Sequence, residues 1–130
     1  MPIVPSDLIG AWRLVSWSLR HDDGRPPVYP LGEDAAGYLL YTADGHVSAT
    51  LMRRGPAVPG GAGSFAYAGR YRLEDGTVYH SIEVASDPGL VGITSTRHIA
   101  RDGALLTLSG PDFGAGSART QRIVWRRAAA

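Results

Sequence analysis

Two side chains that can move a proton, Tyr71 and His80, occupy neighbouring strand-like segments of the chain. The Asp75-Gly76 pair between them is the pattern of a two-residue hairpin, whose register places Tyr71 opposite His80 on an apolar inner face. Histidine is a natural general acid or base near neutral pH. We therefore expect a catalytic pair that shares one proton path. The alternative is a core histidine that a single tyrosine hydroxyl satisfies.

The same hairpin register predicts further contacts with a bound molecule. It pairs Gly69 with Ile82 and Tyr67 with Val84 on the inner face. Because glycine leaves space at the middle of a strand, Gly69 also favours a real cavity over a filled interior. We expect this face to bind a ligand through Tyr67, Gly69, Ile82 and Val84.

Arg97 is the third candidate catalytic residue, since it shares the apolar face of the following hairpin with Leu108. A buried guanidinium needs a partner, because an unpaired interior charge is costly. Its planar fork suits a ligand carboxylate, enolate or tetramate oxygen. The alternative is a structural ion pair with an acidic residue of the long loops, for which the candidates are Glu33, Asp34 and Asp87.

The hairpin around Asp44-Gly45 offers two faces, and the pattern favours one of them only by a small margin. The favoured inner face holds Tyr38, Leu40, Val47, Ala49 and Leu51. The opposite face holds Leu39, Tyr41, His46, Ser48, Thr50 and Met52. On the favoured reading, Tyr38 and Leu51 join Leu108 as contacts of the ligand.

Other chemistries lack their motifs. The four histidines show neither His-x-His nor His-x-x-x-His spacing, and the chain has no cysteine, so we expect no metal site. The chain also has no Gly-x-Ser-x-Gly elbow and no lysine for a phosphate-binding loop. We therefore expect a site without a cofactor.

Eight strand-like segments must position these residues. The first is residues 10–19, and the others fall near 37–43, 46–53, 65–74, 77–85, 94–101, 104–109 and 118–127. Short Asp-Gly turns alternate with long connections at 21–36, 54–64, 86–93 and 110–117, which lie at the opposite end of the sheet. The pattern predicts an all-β fold, an up-and-down antiparallel barrel of eight strands in one domain spanning 1–130, with a central pocket open at the long loops.

Two of the long loops could cover this opening. The Gly-rich stretch 59–64 is read as a mobile lid. Phe113, in the stretch 110–114, is read as a contact that folds over the ligand, with an ordinary solvated loop as the alternative.

The first strand carries an apolar stripe that faces away from Trp12. Val15, Trp17 and Leu19 alternate with it and would be exposed on a monomer, which favours a homodimer through this strand. The alternative is a bulge that turns Trp17 inward.

Composition excludes several partner classes. Thirteen basic residues against twelve acidic ones are scattered along 130 residues, so we expect neither nucleic acid nor a membrane as partner. The start of the chain lacks the pattern of a signal peptide, and the expected location is cytoplasmic. All basic residues are arginine and asparagine is absent, which suggests a GC-rich bacterial genome.

Two parts of the sequence carry a family resemblance. The chain opens its first strand with Gly10-x-Trp12 and ends its last with Trp125-Arg126-Arg127, and it contains the run from Tyr29 to Ala49 followed by Tyr67-Ala68-Gly69-Arg70-Tyr71. It resembles the bacterial and fungal lipocalin-like domain family. The resemblance implies an eight-stranded barrel with a central pocket and a last-strand arginine over the tryptophan at the closed end. Related small barrels of natural-product pathways include cofactor-free cyclases, whereas the secreted lipocalins carry cysteines that this chain lacks.

Three functions follow from this pattern. The first is a cofactor-independent cyclase or isomerase that acts on a small, polyketide-like hydrophobic molecule in bacterial natural-product biosynthesis, with His80, Arg97 and Tyr71 as catalytic residues. The second is a carrier that binds or sequesters such a molecule unchanged. The third is a structural partner protein whose barrel is filled by side chains.

Overall fold

The chain folds into a closed barrel of eight antiparallel strands, each bonded to the next and the last bonded to the first, as predicted. A computed structural model describes residues 3–55, 63–111 and 119–128. The strands are β1 Gly10–His21, β2 Ala36–Tyr41, β3 His46–Met52, β4 Ser64–Glu74, β5 Thr77–Ala85, β6 Thr94–Asp102, β7 Leu105–Pro111 and β8 Arg119–Arg127, with short 3-10 segments at Pro5–Asp7 and Pro88–Leu90. No helix in these ranges has the length and apolar character needed to span a membrane.

The closed end is built around Trp12, which is completely buried. Its indole Nε1 donates to the Leu8 carbonyl at 2.9 Å. The guanidinium carbon of Arg127 lies 4.0 Å from the centre of the Trp12 ring, and Arg127 also donates to the carbonyls of Ile9 and Asp7. The expected arginine of the last strand therefore does cover the tryptophan.

The turn around Asp44-Gly45 is one residue longer than predicted, and this reverses the faces of β2. Thr42 N donates to His46 O across a three-residue loop in which Gly45 adopts a φ of 94°. Tyr41 therefore pairs with Val47. Because side chains alternate along a strand, a shift of one residue turns the whole strand over. The placement of Tyr38 inside was wrong: its side chain lies outside, and Leu39 and Tyr41 point inward.

A bulge in β5 overturns two other expectations. Pairing runs as predicted from Glu74 to Gly69, and then shifts so that Ala68 faces Val84. Val84 is consequently turned outward and is 61% exposed, so its assignment to the ligand face was wrong. Gly69 leaves no space either, because a Cβ placed there would collide with the backbone carbonyl of Ser81. Gly69 accommodates the neighbouring strand rather than a ligand.

A second bulge, in β1, settles the alternatives for Trp17. The pairing of β1 with β8 shifts between Leu14 and Ser16, which leaves Val15 as the extra residue, 41% exposed. Beyond the bulge, Trp17 points into the barrel and Leu19 is buried. The prediction that Val15, Trp17 and Leu19 form an exposed stripe was therefore wrong for Trp17 and Leu19. A homodimer through β1 stays a prediction, but the exposed stripe no longer supports it.

The β6–β7 hairpin differs from its predicted register by two residues, which leaves its faces unchanged. Asp102 pairs with Leu105 across Gly103-Ala104, with Gly103 at a φ of 59°. Arg97 and Leu108 both point inward and are buried, as expected.

Candidate functional site

The barrel interior contains a cavity beside the residues from which chemistry was expected. Its polar lining is Tyr67, His80, Arg97 and Gln121, and its apolar lining is Trp17, Leu39, Ala49, Leu51, Phe65, Leu108, Ile123 and Trp125. The free volume is about 20 Å³, whereas the wider hollow, which includes open solvent, measures about 390 Å³. The smaller figure is the one that measures room for a ligand, and it is enough for roughly one water molecule. A larger ligand therefore has to displace side chains.

His80 is held between two tyrosines. Its side chain lies on β5 and is 1% exposed. The hydroxyl of Tyr41, from β2, lies 2.6 Å from Nε2, and the hydroxyl of Tyr67, from β4, lies 2.6 Å from Nδ1. We call these three side chains the Tyr41–His80–Tyr67 unit. Both ring nitrogens thus have partners, and one of the two tyrosines, Tyr67, lines the cavity.

All three members of the unit are neutral at pH 7. Burial, and to a smaller extent the charge of Arg97, lowers the pKa of His80 to about 3. Burial raises the pKa of Tyr67 to about 12 against the opposing influence of Arg97, and burial raises the pKa of Tyr41 well above its usual range. Because a neutral imidazole has one donor and one acceptor nitrogen, one tyrosine donates to the ring and the other accepts from it.

Tyr71 is not part of this unit, although its Cα pairs with that of His80 as predicted. Its hydroxyl donates to the Thr42 carbonyl at 2.8 Å, and its ring packs edge-on against Tyr41 at 4.8 Å. The proposed sharing of a proton path by Tyr71 and His80 was therefore wrong. Tyr41 takes that place because the longer turn after β2 rotates it inward.

Arg97 lies in the cavity wall and is 3% exposed. Its Nη1 donates to the carbonyls of Thr96 at 2.9 Å and Pro111 at 3.2 Å. These two hydrogen bonds hold the Arg97 side chain in place. Its positive charge contributes to the lowered pKa of His80. Among the acidic candidates for a structural pair, Glu33 and Asp34 are exposed, and Asp87 accepts a bond from Gly89 N.

Gln121 is a buried polar residue of the wall that the sequence reasoning missed. It is 1% exposed, and its Oε1 accepts a bond from Trp17 Nε1 at 3.0 Å. The Trp17 ring packs against Phe65, 5.8 Å away, and Phe65 packs against Tyr67. A signal was available: Gln121 shares the inner face of β8 with Ile123 and Trp125 by simple alternation.

The other expected contacts fall into three groups. Tyr67, Leu51 and Leu108 lie in the cavity wall. Ile82 is buried but outside that lining. Phe113 and the expected lid segments fall wholly or mainly outside the described residues. Within the described ranges, no three histidine or acidic side chains come together as metal ligands.

Comparison with known proteins agrees with the barrel fold. The lipocalin-like domain family matches residues 9–128 of the chain. The chain belongs to this lipocalin-like family. A crystal structure of an uncharacterized protein from Bacteroides eggerthii DSM 20697 shares the fold, with a TM-score of 0.51 and 14% identity over 94% of this chain and 100% of that one. None of the curated proteins compared with the chain matches it. Lipocalin-like barrels of eight strands have an interior suited to one small hydrophobic ligand.

Proposed function

We propose that this lipocalin-like barrel binds one small, mostly hydrophobic molecule and acts on it as a cofactor-independent cyclase or isomerase in bacterial natural-product biosynthesis. One observation carries the proposal: buried His80 has a tyrosine hydroxyl 2.6 Å from each ring nitrogen, and one of these tyrosines, Tyr67, lines the cavity together with His80. A neutral chain of this kind fixes the direction of a hydroxyl in a dry site.

The chemistry follows from the proton inventory. When Tyr41 donates to Nε2, the ring donates from Nδ1 to the Tyr67 oxygen, and the Tyr67 proton is left to donate into the cavity. A hydroxyl aimed in this way stabilises the negative charge that develops on a carbonyl oxygen when water or hydroxide from the solvent removes a proton from the adjacent carbon and an enolate forms. Return of a proton to a carbon or to the oxygen gives the isomerised product or the enol. The positive charge of Arg97 in the same wall acts in the same direction.

The roles differ from those that the sequence suggested. His80 is a positioning residue rather than a free base, because its pKa is about 3 and both its nitrogens are bonded. Tyr67 is the donor that meets the ligand. Tyr71 lies outside the proposed machinery, since its hydroxyl is bonded to Thr42. The apolar wall supplies the shape that holds a flexible substrate in a reactive conformation.

Ligand entry requires the mouth side of the cavity to open. Trp17 on β1 and Phe65 on β4 meet across the barrel, and both are half-buried. We call this pair the aromatic roof. Because the free volume holds about one water molecule, we expect the Phe65 ring of this roof to move aside to admit a hydrophobic molecule while Trp17 keeps its bond to Gln121.

A carrier is the second candidate function, and the same unit supports it. The two nitrogens of His80 are already bonded, so the unit is stable without a substrate. In a carrier, Tyr67 and Arg97 would orient the ligand and change nothing in it.

The test combines binding and product analysis. Wild type, Tyr67→Phe and Tyr71→Phe are each incubated with a panel of polyketide-like hydrophobic ketones, and the recovered compounds are analysed by mass spectrometry. Tyr67→Phe should lower product formation by roughly 10²- to 10³-fold, the usual effect of losing one donor to a developing oxyanion. Tyr71→Phe is the matched control and should act like wild type. Tight binding without any product would instead establish the carrier.

A further inference from the structure

Gln121 lines the cavity and has a buried side-chain amide. Its amide orientation is fixed by Trp17, because an indole N–H only donates and the atom 3.0 Å from it is therefore the amide oxygen. The amide nitrogen, Nε2, points away from that bond. The residue is 1% exposed and belongs to the cavity wall.

This nitrogen has no hydrogen-bond partner among the described residues. A buried amide donor without a partner carries a desolvation cost, and such groups are rare in native proteins. An acceptor that enters the cavity removes this cost. Trp125, four residues further along β8, repeats the pattern, since its Nε1 is also buried without a partner in the described part of the chain and lines the same cavity.

Arg97 lies in the same wall and carries a positive charge. A guanidinium donates hydrogen bonds and accepts none, so it favours an oxygen acceptor as its neighbour over a second donor. A pure hydrocarbon would leave Gln121 Nε2 without a hydrogen bond. An acceptor oxygen on the ligand therefore suits both side chains.

We propose that Gln121 is a specificity-determining residue, and that its Nε2 binds a carbonyl-type oxygen of the ligand. The ligand class is therefore a hydrophobic molecule with a ketone, ester or carboxyl oxygen on the side that faces β8. This inference rests on the proposed small-molecule site and names the chemical class that the site selects.

Two probes of nearly the same shape test the assignment. Acetophenone carries a carbonyl oxygen where ethylbenzene carries only hydrogens, and the affinity of each is measured by NMR titration of the full chain. The readout is the ratio of the two affinities, which cancels differences in general hydrophobicity. Gln121→Leu should lower the preference for acetophenone by roughly 10-fold, as expected for one hydrogen bond to a buried donor. Arg122→Leu, an exposed neighbour on β8, should leave the ratio unchanged.

A measurement on wild type covers the case in which Gln121→Leu does not fold. The side-chain amide signals of Gln121 should shift on addition of acetophenone and stay in place with ethylbenzene. Binding of both probes to the cavity with an unchanged ratio, or with equal amide shifts, would overturn the role of Gln121 and leave the small-molecule site standing. If neither probe perturbs the cavity at millimolar concentration, the site itself is wrong, and the inference goes with it.

Discussion

The hydroxyl of Tyr41 lies 2.6 Å from Nε2 of His80, although the two residues are 39 positions apart in the sequence. Their strands, β2 and β5, are not neighbours in the barrel, so this contact crosses the interior. His80 is also bonded to Tyr67 of the cavity wall, and the Tyr41 ring packs edge-on against the Tyr71 ring. The contact therefore links the stability of the barrel to the chemistry of the proposed site.

The stability of the barrel should depend on pH through His80. The pKa of this histidine is about 3 in the folded protein and near 6.5 in the unfolded chain. Between these values the unfolded state binds more protons, so the free energy of unfolding falls as the pH falls below about 6.5. The loss due to His80 alone should reach roughly 2 kcal/mol at pH 5.

Urea unfolding of wild type and His80→Gln at pH 7.5 and pH 5 measures this contribution. The variant removes the titrating ring and should lose less stability over the same interval, whereas all other groups contribute equally to both proteins. Equal losses in the two proteins would show that the ring does not titrate between these limits.

Removal of the Tyr41 hydroxyl should destabilise the protein more than removal of the Tyr71 hydroxyl. Tyr41→Phe leaves His80 Nε2 buried without its partner, which costs about 1 to 3 kcal/mol. Tyr71→Phe removes a bond to a carbonyl near the surface and should cost less than about 1 kcal/mol. Chemical denaturation compares the two variants, and ¹⁵N NMR of the imidazole checks that only Tyr41→Phe changes the Nε2 signal. A larger effect from Tyr71 would restore it as the partner of His80.

Arg127 should matter to the closed end, and its neighbour Arg126 should not. Arg127 stacks on Trp12 and donates to two backbone carbonyls, whereas Arg126 is exposed. Arg127→Ala should lower the free energy of unfolding by about 1 to 3 kcal/mol, and Arg126→Ala by less than about 0.5 kcal/mol. Trp12→Ala, measured in the same thermal melts, should cost about 3 to 5 kcal/mol. Similar melting temperatures for all three variants and wild type would contradict closure of the barrel by this contact.

Gly69 should tolerate no side chain, despite its position on a strand. A Cβ at this residue collides with the Ser81 carbonyl beside the β5 bulge, so Gly69→Ala should destabilise the barrel by about 3 kcal/mol. Gly63→Ala is the matched control, because a Cβ there meets open space, and its effect should be close to zero. Denaturation midpoints of the two variants give the comparison. A neutral Gly69→Ala would mean that the bulge is absent in solution.

The sequence was enough to predict the barrel because its turns carry local signals. Asp75 and Gly76 both adopt positive φ, 50° and 76°, as a two-residue hairpin of this type requires. Alternation from that turn placed His80 and Tyr67 inside. The hairpin that holds Arg97 was also placed correctly, because an error of two residues keeps every side chain on its face.

An error of one residue in the register moves every side chain of the strand to the other face. Errors of this kind account for the parts of the site that the sequence could not predict. The extra residue in the turn after Tyr41 exchanges the inner and outer faces of β2. The bulges near Ser16 and Val84 do the same for parts of β1 and β5. Bulges depend on packing across the closed barrel, which the local pattern does not contain. The true partners of His80 and the burial of Trp17 therefore became clear only from the three-dimensional structure.

The central claim is that the cavity stabilises negative charge on a ligand's carbonyl oxygen through the Tyr67 hydroxyl. The most direct measurement is the exchange of the acetophenone methyl hydrogens for deuterium in D₂O, followed by NMR, because this exchange passes through the enol or enolate. Wild type should accelerate the exchange over buffer in a saturable way, Tyr71→Phe should match wild type, and Tyr67→Phe should lose roughly 10²- to 10³-fold of the acceleration. Acetophenone that binds in the cavity but exchanges no faster than in buffer would contradict the account and leave a carrier.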